Sequence, residues 1–270
     1  MFQILHPTDG SAESEVAFVH ALRLALQFSA SLRVLHAESG LHHDEVELPG
    51  VRDALHRWGL LPAGSAMDQV ASLGLQVRKV RLGKREPLAA IREEAEAIGA
   101  DLLVLATHPR SGILWLLHGS VAEGAMRRWP ALVIPAGGNG FVDAATGTTR
   151  LKRVLVPLDP KDDPQLPLEW TIRMLTHLGG AGEVRLLQVG PAETEGLVLP
   201  SLPGWSWSWE WRSGEVVAEI LTDARTWGAD LIVMGTRGHD SLGDSLWGSR
   251  TERVLHGAPC PLLTVPVQGR

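Results

Sequence analysis

The sequence predicts an α/β fold made of two tandem domains, each an open parallel sheet with crossover helices. Two observations carry that expectation. First, the chain repeats itself: Gln3-Ile-Leu-His-Pro-Thr-Asp-Gly-Ser11 aligns with Arg153-Val-Leu-Val-Pro-Leu-Asp-Pro-Lys161, both being apolar runs that end in Pro-x-Asp. Gly99-Ala-Asp-Leu-Leu-Val-Leu-Ala-Thr107 likewise matches Gly228-Ala-Asp-Leu-Ile-Val-Met-Gly-Thr236. Second, within each copy short apolar runs alternate with stretches of helical period, the signature of βαβ units around a parallel sheet.

In copy one, strands are expected near 2–6, 32–37, 75–81, 102–106 and 131–135. A helix over Ser14 to Ser29 starts near Ser11; another over Leu88 to Ile98 has Pro87 in its first turn and Gly99 at its end. A further crossover helix falls somewhere in 51–73. The copies join through a Gly/Thr-rich linker, Gly137 to Thr149, which divides the chain into domains 1–137 and 151–270. In copy two, strands are expected near 153–157, 184–189, 205–211, 231–235 and 262–266, with a helix at 215–227. The offset between copies falls from 150 at Gln3 and Arg153 to 129 at Gly99 and Gly228, so copy two has lost 21 residues in between. Only 15 residues, 190–204, separate its second and third strands, so the second domain lacks one crossover helix. The closing strands, 131–135 and 262–266, are short apolar runs that would otherwise leave open edges.

Composition narrows the function classes. The chain has 270 residues, 44% hydrophobic, with 25 Lys+Arg against 31 Asp+Glu and a net charge of -6. That length and apolar content can bury one large core or two ordinary ones. The charge offers no basic field for a phosphodiester backbone, so nucleic acid is not an expected partner. No run approaches a membrane span, and Met1-Phe-Gln-Ile-Leu-His-Pro7 lacks a basic, then apolar leader. A cytoplasmic location is expected. The lone Cys260 can form neither an internal disulfide nor a cysteine-based zinc site.

The chemistry lies after the fourth strand of copy two, in Gly235-Thr-Arg-Gly238, then Gly248-Ser249-Arg-Thr251, a Gly-x2-Gly-x9-Gly-Ser pattern. Glycines let backbone approach a ligand closely, and Gly248-Ser249 opens a helix whose free N–H groups and dipole favour phosphate. Ser249 and Thr251 add hydroxyls. Asp159 ends the first strand of the same copy, so both segments lie at carboxyl ends of strands, where open α/β sheets bind ligands.

On these residues the chain resembles the universal stress proteins, in their tandem two-domain form. The resemblance covers nearly all of both halves, including Pro7-Thr-Asp-Gly-Ser11, the Gly-Ala-Asp-Leu strand entries and the closing Ala258-Pro-Cys-Pro261. It implies an adenine-nucleotide alpha-hydrolase-like, Rossmann-like fold, pairing of the closing strands 131–135 and 262–266 with each other within the chain and, for chains with the intact glycine pattern, binding of ATP, with or without Mg2+. Carried over residue by residue, it implies Pro157, Leu158, Asp159 and Val189 around the adenosine. Met234, Gly235, Arg237, Gly238, Gly248, Ser249, Arg250 and Thr251 complete the implied site. Copy one departs where it matters: Ala106 stands in place of the first glycine and Pro109 in place of the second, removing close approach and one N–H donor, although Asp9, Gly119 and Ser120 remain. It reads as a structural pseudo-domain.

Other features have ordinary readings beside the sharper ones. Asp159 could cap a turn before Pro160. His239 could touch phosphate or sit on a surface loop. His42 and His43, beside Asp44, Glu45 and Glu47, read as a solvated acidic loop rather than a metal cluster. Cys260, between two prolines, reads as a small buried residue. Trp205, Trp207, Trp209 and Trp211 alternate with Ser206, Ser208 and Glu210 and place four indoles on one strand face. They either cover the sheet bared by the missing helix or form a groove for a protein partner. The leading functional expectation is an ATP-binding stress-response regulator acting through nucleotide-dependent conformation or partners, a pseudo-dimer within one chain. No Gly-x4-Gly-Lys-(Ser/Thr) loop is present and no acid is clearly placed opposite the phosphates, so slow ATP hydrolysis is the most expected of it as an enzyme. A chaperone-like protein with structural nucleotide is the third reading.

Overall fold

A computed structural model describes residues 1–37, 46–83, 86–107, 128–137, 140–159, 163–191, 197–237 and 250–267. The chain divides into two compact units: Met1–Ala125 with Gly140–Arg150, and Met126–Asn139 with Leu151–Arg270.

Unit 1 contains β1 (Gln3–Pro7), α1 (Ala12–Gln27), β2 (Ser31–Ala37), α2 (Val51–Arg57), α3 (Met67–Ser72), β3 (Gln76–Leu82), α4 (Pro87–Ile98) and β4 (Leu102–Ala106). Its strands lie in the order β3-β2-β1-β4, all parallel. Local chemistry sets the element ends. Ser11 caps α1, its Oγ accepting from Ser14 N at 3.1 Å. Glu86 caps α4 through Leu88 N and Ala89 N, and Gly99 closes it at φ 60, the left-handed turn that glycine adopts without strain.

Unit 2 contains β5 (Ala131–Ile134), β6 (Arg153–Leu158), α5 (Gln165–Leu178), β7 (Gly182–Val189), β8 (Trp205–Arg212), α6 (Val216–Trp227), β9 (Leu231–Arg237), α7 (Arg250–Gly257) and β10 (Leu262–Val267). The order is β5-β10-β9-β6-β7-β8, parallel except for β5, which runs antiparallel to β10 with Leu263 opposite Leu132. The two closing strands therefore pair as expected, and β5 belongs to the second unit although copy one encodes it. The helix α5 has no counterpart in the sequence reading. Proline at 164 and 167 obscures its start, yet both sit in the cap and first turn, where proline costs no hydrogen bond.

The internal repeat extends to charged side chains. Asp101 Oδ2 accepts from Gln3 N at 2.7 Å, and Asp230 Oδ2 accepts from Lys152 N and Arg153 N at 2.8 Å, so the Asp of each Gly-Ala-Asp-Leu ties the start of the fourth strand to the first. Arg33 pairs with Glu94, and at the equivalent positions Arg185 pairs with the fully buried Asp223 at 3.2 Å. Strand two is thus pinned to the helix that follows strand three in both copies.

The expected free linker is largely a docked turn. Phe141 and Val142 are buried against unit 1, and the ring of Phe141 meets His20 edge-on at 4.7 Å. His20 Nε2 accepts from Val142 N at 3.1 Å, while Trp58 Nε1 donates to Ala144 O at 3.1 Å. A side chain on Gly140 would collide with the His20 ring. Apolar Phe141-Val142 inside a Gly/Thr-rich run is what docks it.

Residues 197–204, which lead into β8, form no helix to lie over one face of that strand. The tryptophans share that face, but only Trp205 is buried; Trp207 and Trp209 are half-buried, and Trp211 is 52% exposed. Packing onto the bared sheet therefore accounts for the first ring and not the last. Trp207 is anchored by its Nε1 donating to Pro200 O at 2.9 Å, and Trp209 stacks on Trp211 at 5.3 Å.

Candidate functional site

In unit 2 the crossovers reverse between β6 and β9, which are neighbours in the sheet. At such a switch point the loops leave in opposite directions and open a crevice beyond the carboxyl ends of the strands. Leu158 is the last residue of β6 and Met234 the middle residue of β9, both apolar and each 7% exposed. Pro157 lies one residue before Leu158 on β6, and Val189 ends β7, where its neighbour Gly190 donates N–H to Arg212 O at 2.8 Å. Arg237 is the last residue of β9.

Asp159 and Arg250 come together. Arg250, the first residue of α7, donates from Nη1 to Asp159 Oδ2 at 2.8 Å, joining the end of β6 to the start of α7. Both side chains keep solvent access, at 59% for Arg250 and 25% for Asp159. The pair gives the crevice a carboxylate able to accept from hydroxyls beside a guanidinium able to bind phosphate. Thr251 is buried, at 5% exposure.

Gly235 has a local structural reason of its own. It sits within β9, and a Cβ there would lie 3.1 Å from Val267 Cγ1 and 3.2 Å from Val267 Cγ2, so its bareness leaves room for the Val267 side chain of β10. Gly238, Gly248 and Ser249 lie outside the described residues, as do Pro109, Gly119, Ser120, His239, His42, His43, Asp44 and Glu45. Among the described residues, no three His, Cys, Asp or Glu side chains gather as a metal site, and no helix is long and apolar enough to cross a membrane.

The sequence reading missed Gln188. This side chain is fully buried at the end of β7, donates its amide to Pro191 O, and stands in one row with Leu158 on β6 and Trp211 on β8. A polar residue in the otherwise apolar Leu186-Leu187-Gln188-Val189 run was the available signal, strengthened by polar His36 at the equivalent place in copy one.

The corresponding crevice of unit 1 is built differently. Asp9 Oδ1 accepts from Ser11 N at 3.0 Å and Ser11 Oγ at 2.6 Å, so the carboxylate braces the cap of α1. Val46 packs on Gly10, where any side chain would strike it. Arg81 Nη2 donates to Val46 O at 2.7 Å and Lys79 Nζ to Leu48 O at 3.3 Å, which straps residues 46–48 across the β1–α1 turn.

With this geometry in view, comparison with known proteins is informative. The family model described as the universal stress protein family matches residues 1–135 and 206–266. A universal stress protein A homolog 2 from Coxiella burnetii is 44% identical over 50 residues, which is 18% of this chain and 34% of that protein. The chain thus spans about a third of the length of that curated relative. Among solved structures, a universal stress protein from Archaeoglobus fulgidus superposes with TM-score 0.63 at 19% identity, covering 97% of each chain. A functionally unknown protein from Pseudomonas aeruginosa gives TM-score 0.65 at 15% identity, over 99% of this chain and 92% of that one. At these identities the structures bear on the fold, which is the open α/β architecture expected. Two family-model matches, one in each half and together spanning most of the chain, join a structure that carries the same architecture twice: the chain belongs to the universal stress protein family.

Proposed function

We propose that the chain is an adenine-nucleotide-binding regulator of the stress response, acting in the cytoplasm, which holds ATP in unit 2 and none in unit 1. The observation that carries the reading is the Asp159–Arg250 pair at the switch point, flanked by apolar Leu158 and Met234. A nucleotide needs an apolar wall for its base, an acceptor for ribose hydroxyls and cationic or N–H donors for phosphate. Leu158, Asp159 and Arg250 offer these in turn, and the Gly238 to Ser249 segment joins β9 to α7 beside them in sequence. Mg2+ would be held by the phosphates themselves. In unit 1 the strap at 46–48 and the engaged Asp9 argue against an equivalent site.

The test is calorimetric titration of ATP. Gly238→Val should abolish binding, because a β-branched side chain in the phosphate loop blocks close approach and resists positive φ. Ser249→Ala should weaken it by roughly 10- to 150-fold, the loss of one hydrogen bond to a charged phosphate. Undiminished affinity in Gly238→Val would place the site elsewhere. A second reading, a partner-binding protein in which nucleotide is structural, is favoured by the 52% exposure of Trp211. It predicts that tryptophan variants lose function while keeping ATP affinity. Hydrolysis, on either reading, is slow.

A further inference from the structure

The strand β8 closes one end of the unit 2 sheet, with β7 as its sheet neighbour. Its two rows of backbone groups are not equivalent. Gly182 N donates to Gly204 O at 2.9 Å and Gly190 N to Arg212 O at 2.8 Å, so the even-numbered residues turn their N–H and C=O towards β7. The odd-numbered residues, all tryptophans, therefore turn theirs outward. Trp205 N is already used, donating to Leu202 O at 3.0 Å. Trp207, Trp209 and Trp211 are left presenting three N–H donors and three C=O acceptors at the open edge.

Such an edge is normally guarded by charge, proline or a bulge. The equivalent strand of unit 1, β3, carries Arg78, Lys79 and Arg81, the last two of which also hold the 46–48 strap. The registers β2–β3 and β7–β8 align Lys79 with Trp209 and Arg81 with Trp211, so the guard positions of one copy are indoles in the other. The cation that remains on β8, Arg212, is committed to Glu210 at 3.3 Å and Asp223 at 2.7 Å.

We infer that β8 pairs antiparallel with β8 of a second copy of this chain, on a two-fold axis through Trp209. The register follows from which groups face outward. Hydrogen-bonded antiparallel pairs need outward-facing residues on both strands, so Trp209 stands opposite its own copy and Trp207 opposite Trp211, closing about six N–H···O=C bonds. Opposed residues share a face, so six indoles come together on the side that lacks a crossover helix. The intervening residues oppose Ser208 to Glu210 and Ser206 to Arg212, which brings no like charges face to face. A register shifted to centre on Trp207 would need the Trp205 N–H that Leu202 occupies. An interface of one strand pair and six rings is near the lower limit of stable ones, about 1,200 Å², so association in the range of roughly 10 µM is expected.

Sedimentation equilibrium of the full chain between about 1 and 300 µM tests this, with amide exchange of 205–212 followed over the same range. The wild type should dimerise and its Trp207, Trp209 and Trp211 amides should exchange more slowly as concentration rises. Trp209→Lys with Trp211→Arg, which installs the guard of β3, should weaken the dimer at least tenfold. Should that variant fail to fold, Trp209→Pro removes one outward N–H, leaves the ladder to β7 intact, and should also give a monomer. A wild type that stays monomeric at 300 µM overturns the inference. So does a dimer that survives in a folded variant, or slowed exchange produced by an unrelated extended peptide while the chain itself remains monomeric.

Discussion

Lowering the pH should unfold unit 1 before unit 2, because unit 1 keeps two neutral histidines in its core. Burial pushes the pKa of His6 down to about 4, opposed in part by its hydrogen bond to Val104 O and the nearby Asp9 carboxylate. Burial does the same to His20, also to about 4, opposed by Val16 O. In the unfolded chain both titrate near 6.5, so between pH 6.5 and 4 the unfolded state binds more protons than the folded one. Their contribution is complete above the unfolded value and disappears as pH falls towards the folded one. Each histidine then removes about 2 kcal/mol by pH 5 and about 3 kcal/mol by pH 4. Together the loss of about 4 kcal/mol at pH 5 is a large part of the stability of an ordinary domain. In unit 2, His177 and His256 lie exposed on the surface rather than in the core. Calorimetric melting at pH 7.5 and pH 5 should show one transition moving far down in temperature and separating from the other. His6→Val, which places in copy one the residue found at Val156, isolates the effect from titrating carboxylates. The wild type should lose about 2 kcal/mol more than this variant over the same pH step. A difference below about 1 kcal/mol would refute the claim that the neutral buried ring governs acid sensitivity.

Two further outcomes follow from the same packing. Asp223→Ala, which leaves Arg185 and Arg212 facing an empty acidic position, should cost about 3–5 kcal/mol and lower the melting temperature of unit 2; an unchanged transition would show the pair to be dispensable. Cys260 is buried with its pKa pushed up to about 12 by burial and by Asp230, so a thiol reagent at pH 8 should label it only on unfolding, and rapid labelling of the native chain would contradict that packing.

Much of the architecture was legible because local signals carry it. Short β-branched and leucine-rich runs marked the strands, Ser11 and Gly99 marked helix ends, and the period-two tryptophans marked β8. What escaped depended on contacts distant in sequence. The Asp163-Pro-Gln-Leu-Pro167 start of α5 looks like a turn until Pro167 is seen packed beneath Gly235. That Gly140–Arg150 docks on unit 1 depends on His20, 122 residues from Val142. At the candidate site the sequence offers residues but not their contacts: Asp159 and Asp9 share a motif, yet one meets Arg250 and the other braces Ser11. Gly235, read as a place of ligand approach, also makes room for Val267 on the neighbouring strand.

The most direct test of the account is the number of nucleotides per chain and the aspartate each depends on. Calorimetric titration of ATP should give one site per chain, lost in Asp159→Ala and retained in Asp9→Ala, because the carboxylate of unit 2 opens on the crevice with Arg250 while that of unit 1 is engaged by the backbone and hydroxyl of Ser11. Two equivalent sites in the wild type, or binding that survives Asp159→Ala and fails in Asp9→Ala, would contradict it.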